Sequence, residues 1–185
     1  MELSKNQVVT GECRLSFVNL FEPKAVKEGD DAKYSVTAII PKTDTKTIEA
    51  IKAAIQAAAE AGKDKHFGGR IPTNVIGIST FKDGDTEVDD MGDLKNIKYP
   101  EYKNSYYIRL STKRKPVVLN TDKTPIINDP NGEVIYSGCY GRVSMSFFTY
   151  SGDGRRGISA GLNNVMKTRD GEPLVNTLSG DEFGE

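Results

Sequence analysis

Apolar and polar residues alternate along much of this 185-residue chain, and a repeat of two residues is typical of β-strands with one buried face. Residues 13–21 alternate in this way, which predicts Leu15 and Phe17 on the buried face. Residues 33–41 alternate until Pro41, which lacks the N–H that a β-ladder needs and ends the strand. Further segments of this kind span residues 106–113, 115–120, 141–150 and 157–165. The pattern therefore predicts a mainly β fold.

One segment, residues 44–62, has the period of an α-helix instead. Its apolar side chains form a single stripe made of Ile48, Ile51, Ile55 and Ala58. Asp44 or Thr45 can cap the N-terminus, and Gly62 is predicted to end the helix in a left-handed conformation. We expect this helix to pack on the sheet rather than to bind a ligand.

Two parts of the chain lack periodicity. Residues 63–104 are irregular and rich in turn signals, and a loop of this length in a compact domain is usually functional or mobile. The last residues have no apolar repeat and are expected to be disordered. We therefore predict one domain over residues 1–172 and an acidic C-terminal tail over residues 173–185.

Composition fits a water-soluble, intracellular protein. Hydrophobic residues make up 37% of the chain and charged residues 28%. No apolar run approaches the roughly 20 residues of a membrane-spanning helix, and the N-terminus lacks the apolar region of a signal peptide. Cys13 and Cys139 are too few for a disulfide framework, so we predict two free buried thiols. No membrane partner is expected.

The net charge of −1 is unevenly distributed. No basic residue follows Arg169, whereas five acidic residues do. The preceding part holds 25 basic and 21 acidic residues, a net charge of about +4. A basic body with an acidic end is found among nucleic-acid-binding proteins, although a difference of this size is common.

Motifs for catalysis or cofactor binding are weak. Residues 152–157, GDGRRG, fit a nucleotide-binding pattern but precede an alternating segment rather than a helix, which favours a hairpin turn. The acidic residues 83–93 lack the Gly and Glu spacing of a calcium loop. His66 is the single histidine, and no nucleophile motif accompanies it. We predict no catalytic residues, metal ligands or cofactor, while a metal-dependent nuclease using the acidic loop stays a minor alternative.

Aromatic and cationic side chains share the outer face of two predicted strands. In residues 106–113 Tyr106, Ile108 and Leu110 are predicted to fill the core, which leaves Tyr107 and Arg109 outside. Residues 141–150 repeat the arrangement. Single-stranded nucleic acid is bound by rings that stack on bases and by cations that follow the phosphates. The predicted DNA-binding residues are Tyr107, Arg109, Lys113, Arg114, Lys115, Arg142, Phe148, Tyr150, Arg155 and Arg156.

Several segments together resemble a known family. They include RLSFVNLFEPKA, YSVTAIIPKTDTKTIEAIKAAI, YYIRLSTKRKPVV, YSGCYGRVSMSFFTY and GISAGLNNVMKTRDGEPL. They resemble phage early proteins long catalogued as of unknown function, a family similar to phage OB-fold single-stranded DNA-binding proteins. The resemblance implies a five-stranded Greek-key OB barrel with one inserted helix and extra strands and loops. It also implies a role in phage DNA replication or recombination in the bacterial cytoplasm, without catalysis.

The C-terminal residues extend this resemblance. Proteins of this type often end in an acidic tail with a phenylalanine at or near the end, and the matching residues here are Asp181, Glu182, Phe183 and Glu185. The resemblance implies that such a tail docks replication proteins or competes with DNA. Binding of RNA or of duplex DNA stays open, as does self-association. The main alternative function is a β-rich phage structural or assembly protein whose aromatic residues make subunit contacts.

Overall fold

The computed structural model describes residues 2–174, and the predicted tail residues from Asp181 to Glu185 lie outside this part of the chain. One long helix, α1, covers Thr45–His66, and a short helix, α2, covers Lys95–Lys98, followed by a 3-10 turn at Pro100–Tyr102. The strands are β1 (Gln7–Val9), β2 (Cys13–Lys24), β3 (Lys33–Pro41), β4 (Phe81–Asp83), β5 (Ser105–Thr112), β6 (Val117–Leu119), β7 (Tyr140–Gly152) and β8 (Arg155–Arg169).

Five of these strands close into a barrel. Around it the order is β7, β2, β3, β5 and β8, and β8 pairs again with β7. All neighbours are antiparallel except β5 and β8, which run parallel and meet at Ser111 and Gly161. If the five barrel strands are numbered 1 to 5 in chain order, they follow one another around the barrel as 1-2-3-5-4-1. This is the Greek-key order of an OB-fold. The predicted OB-fold with one inserted helix and extra strands is confirmed.

The strand predictions hold with one exception in β2. Ser16 pairs with Thr37 and Asn19 pairs with Ser35, so β2 holds one residue more than β3 between these pairs. This bulge gives Phe17 a φ of +47°, a conformation that bulky residues rarely adopt. The extra residue shifts the alternation, and Phe17 contacts Tyr99 on the outside of the barrel. The prediction that Phe17 shares the buried face of Leu15 is therefore wrong.

Helix α1 begins as predicted but ends later. The Asp44 carboxylate accepts a hydrogen bond from the N–H of Thr47. The helix passes through Gly62, where a Cβ would lie 1.9 Å from Oγ1 of Thr149 on β7. Gly62 thus permits close packing of helix on strand, and the left-handed residue that follows the helix is Gly68, with φ +65°.

A single core cluster joins the stripe of α1 to the inner faces of the barrel strands. Ile108 and Leu110 of β5 are fully buried in it, as predicted. Cys13 and Cys139 are buried free thiols, and burial raises the pKa of Cys13 to about 12. The segment GDGRRG forms the β7–β8 hairpin turn at Asp153 and Gly154, both with positive φ. No helix within residues 2–174 is long and apolar enough to cross a membrane.

Candidate nucleic-acid interface

A groove runs along the outer face of β3 and β5. Its floor consists of paired residues with short polar side chains and one cation, because Ser35 lies opposite Ser111 and Thr37 lies opposite Arg109. Arg109 is exposed, and no ion pair engages it among the described residues. Small floor residues leave room for an extended ligand, with a guanidinium at its centre.

Two concavities meet at Arg109 and together form the groove. The first has a volume of about 410 Å³ and lies beside the β2–β3 loop. It is lined by Lys24, Val26, Asp30, Asp31, Lys33, Ser35, Arg109 and Ser111. The second has a volume of about 370 Å³ and lies beside the segment that precedes β5. It is lined by Phe17, Thr37, Asp89, Lys95, Lys98, Tyr99, Tyr102, Tyr107 and Arg109. Cations outnumber carboxylates in both linings.

Tyr107 lies on the outer face of β5, but it is covered. The ring of Tyr102 lies on it with centroids 4.3 Å apart and planes 5° from parallel, and Tyr107 is only 9% exposed. Lys95 donates a hydrogen bond to the Tyr107 hydroxyl, with a nitrogen–oxygen distance of 3.3 Å. Burial raises the pKa of both phenols. The expectation of a bare Tyr107 ring is wrong, because the segment before β5 folds back over it.

Tyr99 and Phe17 are the more exposed of the four rings that line the second concavity. Tyr99 lies against Tyr102 with centroids 5.3 Å apart, and Phe17 meets Tyr99 edge to face at 5.6 Å. Lys98 lies 5.5 Å from the Tyr99 centroid. We name Phe17, Tyr99, Tyr102 and Tyr107 the aromatic wall. Its inner pair is buried and its outer pair is half-exposed, so only the outer pair can receive a ligand without a rearrangement.

The aromatic wall is attached to the barrel through Asp85. Its carboxylate accepts hydrogen bonds from the Lys42 ammonium, the Asn104 backbone N–H and the Asn96 side chain. Lys42 holds the pKa of Asp85 below its usual range, and Asp83 and Asp85 raise the pKa of Lys42 to about 12. These contacts fix both ends of the segment that contains Tyr99 and Tyr102.

Phe148 and Tyr150 on β7 are exposed, by 49% and 40%. Each ring covers a glycine of β8: Phe148 lies over Gly161, and the Tyr150 hydroxyl is 2.8 Å from where a Cβ of Gly157 would lie. Each side chain thus occupies the space above a glycine of the neighbouring strand, as in other glycine-containing sheets. Since Gly161 adjoins Ser111 of the groove, Phe148 continues the groove around the barrel.

The other predicted cations are dispersed. Lys113, at the end of β5, forms an ion pair of 2.5 Å with Asp31 of the β2–β3 loop. Arg142 donates to the carbonyl of Thr10 and lines neither concavity. Arg114 and Lys115 follow β5 and are exposed, and Arg155 and Arg156 are exposed at the β7–β8 hairpin.

Sequence reasoning missed most of the groove's second side. The peptide KNIKYPEYK, residues 95–103, alternates cations with tyrosines, a signal that the acidic residues before it obscured. Phe17 carried no comparable signal, because a bulge cannot be deduced from alternation.

Several carboxylates of the acidic loop are engaged by other groups of the protein. Asp83 and Asp85 form ion pairs with Lys42, and Asp89 accepts hydrogen bonds from two backbone N–H groups. Within residues 2–174 no three His, Cys, Asp or Glu side chains are grouped so that they could hold a metal ion. His66 contacts the Thr149 hydroxyl at 2.7 Å and packs α1 on β7.

Residues 6–185 match the model of a protein family described as "Enterobacter phage Enc34, ssDNA-binding protein". The chain belongs to this family. A relative in sequence is protein p50 of Acyrthosiphon pisum secondary endosymbiont phage 1, which is 31% identical to this chain over 178 residues, 93% of this chain and 89% of the relative.

Two solved structures of phage proteins share the fold of this chain. The single-stranded DNA-binding protein from bacteriophage Enc34, in complex with ssDNA, aligns with a TM-score of 0.75 at 24% identity, over 94% of this chain and 96% of that one. The single-stranded DNA-binding protein gp2.5 of bacteriophage T7 aligns with a TM-score of 0.60 at 12% identity, over 98% and 96% of the two chains.

Proposed function

We propose that this protein binds single-stranded DNA without sequence preference and acts in phage DNA replication or recombination as a binding protein, not an enzyme. The observation that carries the proposal is the groove on the outer face of β3 and β5, with exposed Arg109 between two cation-lined concavities. The same face of OB-folds binds oligonucleotides in general. Membership of the Enc34 family supports the proposal independently.

In this proposal bases stack on rings and phosphates contact cations. Tyr99, Phe17 and Phe148 offer half-exposed or exposed rings along one continuous surface. Stacking contributes about 1–3 kcal/mol per base and is indifferent to base identity. The floor of the groove offers serine and threonine side chains rather than a dense set of amide groups, which fits binding without base readout. The cations proposed to contact phosphates are Lys24, Lys33, Lys95, Lys98, Arg109, Lys113, Arg114, Lys115, Arg155 and Arg156.

A fluorescence titration with oligothymidylate, and with a duplex of equal length, tests the proposal. We expect tighter binding of the single strand and an affinity that falls steeply as salt rises, because phosphate contacts release counterions. Equal or tighter binding of the duplex would contradict the proposal, and so would salt-independent binding. Oligouridylate in the same titration measures discrimination against RNA.

Arg109→Ala is expected to reduce the dependence of affinity on salt. Each phosphate contact on a single strand contributes about −0.7 to the slope of log K against log salt. Loss of the guanidinium between the two concavities should make the slope shallower by about 0.7 and weaken binding at low salt. Arg70→Ala, which removes an exposed arginine that lines neither concavity, is the matched control. An equal effect of both substitutions would argue against a specific role for Arg109.

We further propose that the acidic C-terminal residues compete with DNA for the groove and dock replication proteins. Leu174 packs against Ile39 and the tyrosines of the aromatic wall, and its N–H donates to the carbonyl of Ser137. The last described residue therefore lies against the aromatic wall, at one side of the groove. Among the residues that follow it are Asp181, Glu182, Phe183 and Glu185.

Removal of the residues after Thr177 is expected to tighten binding of oligothymidylate and to leave folding unchanged. The reason is that the side-chain carboxylates of Asp181, Glu182 and Glu185 act as an intramolecular competitor at a high effective concentration. Titration of the full chain and the truncated chain at equal salt measures the difference. Weaker binding after truncation would refute competition, and loss of a replication-protein complex upon truncation would support docking.

A further inference from the structure

Two exposed hairpins lie at opposite ends of the groove, and their exposed apolar side chains take no part in the proposed DNA contacts. The acidic hairpin, residues 87–95, is closed by a bridge between Val88 and Leu94 and by backbone bonds from Lys95 to Glu87 and from Asp89 to Asp93. It precedes the aromatic wall, and Lys95 contacts Tyr107 near the start of β5. It therefore forms one end of the groove.

The acidic hairpin combines negative charge with exposed apolar side chains. Residues 87–94 contain four acidic residues and no basic one. Met91 at the tip is 88% exposed, and Val88, Leu94 and the adjacent Ile97 are exposed as well. A nucleic acid would be repelled by these carboxylates. Exposed apolar residues in one patch are typical of a protein contact.

The second hairpin has the opposite charge. Residues 113–127, the basic hairpin, leave the far end of β5 and return after β6, where Leu119 pairs with Pro125 and the N–H of Ile126 donates to the carbonyl of Val118. This register sets Val117 opposite Ile127. Both are exposed, Ile127 by 76%. The segment contains four cations and one acidic residue.

The two surfaces are complementary in charge, and each offers exposed apolar side chains. They are separated along β5 by about 20 Å, from Tyr107 to Lys113, because a strand rises about 3.3 Å per residue. Two different patches that fit one another give a head-to-tail contact between copies, and such a contact can be repeated in an open chain. The patches lie beside the two ends of the groove, so a strand leaving one copy would enter the next.

We propose that the acidic hairpin of one copy docks on the basic hairpin of the next copy along the same DNA strand. This inference rests on the proposed function. The patches are small, so the contact is weak in free solution and forms when one strand holds two copies at a high effective concentration. Binding to long single strands is then cooperative, while the free protein shows no stable association through this contact.

The test compares an oligothymidylate that binds one copy of the protein with a longer one that binds two copies. The two lengths are found by extending the oligonucleotide until a second copy binds. We expect the second copy to bind about tenfold more tightly than an isolated one. Met91→Ser on the acidic hairpin, combined with Ile97→Ser beside it, should remove this enhancement, and so should Val117→Thr with Ile127→Thr on the basic hairpin. One-site affinity should stay unchanged. Leu3→Ser, an exposed apolar position outside both hairpins, is the matched control.

Mixing the two defective proteins distinguishes a head-to-tail contact from a symmetric contact between two like hairpins. One partner keeps an intact basic hairpin and the other an intact acidic hairpin, so the mixture should regain cooperativity on the two-site oligonucleotide, while neither protein does alone. No recovery would overturn the proposal. The proposal would also be overturned if the hairpin substitutions weakened binding to the one-site oligonucleotide as much as binding of the second copy. The hairpins would then contact DNA directly.

Failure of this inference and failure of the proposed function give different results. If the natural protein binds the one-site oligonucleotide but its second copy gains nothing, the contact is refuted and DNA binding stands. If no single strand binds, both proposals fall. Cooperative binding of a second copy that persists in the Met91→Ser, Ile97→Ser protein would place the contact between copies elsewhere and refute the proposal.

Discussion

Tyr99→Ala combined with Phe148→Ala is expected to weaken binding of oligothymidylate by about 2–6 kcal/mol, since each exposed ring stacks on one base. Tyr99 forms the outer part of the aromatic wall, and Phe148 rests on Gly161 with 49% of its surface free. Neither side chain is part of the main core, so the protein should stay folded. Fluorescence titration gives the affinity, and urea denaturation gives the stability.

The matched control keeps both rings. Tyr99→Phe with Phe148→Tyr changes only hydroxyl groups and should bind nearly as tightly as the natural protein. If the alanine pair binds unchanged while remaining folded, the DNA path does not cross these rings. If the ring-preserving pair loses as much affinity as the alanine pair, hydrogen bonding rather than stacking is responsible.

Tyr107→Ala is expected to lower the free energy of unfolding by about 3 kcal/mol, as other large-to-small replacements of buried aromatic residues do. Tyr107 is 9% exposed and lies flat against Tyr102, so truncation leaves a cavity under the aromatic wall. Urea denaturation measures the change. DNA affinity should fall as well, because Tyr99 loses its support through Tyr102.

Tyr107→Phe separates the two roles that the residue could have. It keeps the ring and loses only the hydrogen bond from Lys95, whose worth is about 1 kcal/mol. Stability and binding should both stay close to those of the natural protein. A Tyr107→Ala protein of natural stability that no longer binds DNA would instead identify Tyr107 as a direct base contact.

The fold was predictable where alternation is regular. β3 spans the same residues, 33–41, that the sequence indicates, and Ile108 and Leu110 of β5 are buried as their positions require. Arg109 is exposed between them for the same reason. Local periodicity is enough to predict these strands, because successive side chains of a strand point to opposite faces of the sheet and one of these faces is buried.

The predictions that were wrong concern residues whose position is set by contacts distant in sequence. Tyr107 is on the expected face of β5, but a segment preceding the strand covers it through Tyr102. Phe17 turns outward at a bulge that only the pairing with β3 reveals. Gly62 allows close packing against Thr149 instead of ending α1. Each outcome is decided by a partner remote in sequence, which period and propensity do not encode.

The most direct test of the central claim is a crosslinking map with oligothymidylate that carries photoreactive 5-iodouracil, read by mass spectrometry of the tryptic peptides. A strand lying in the groove predicts crosslinks to Phe17, Tyr99 and Phe148, lost in the matching alanine variants and competed by unlabelled oligothymidylate. Crosslinks confined to α1 or to the acidic hairpin, with none on β2, β7 or the peptide at residues 95–103, would contradict the groove as the binding site.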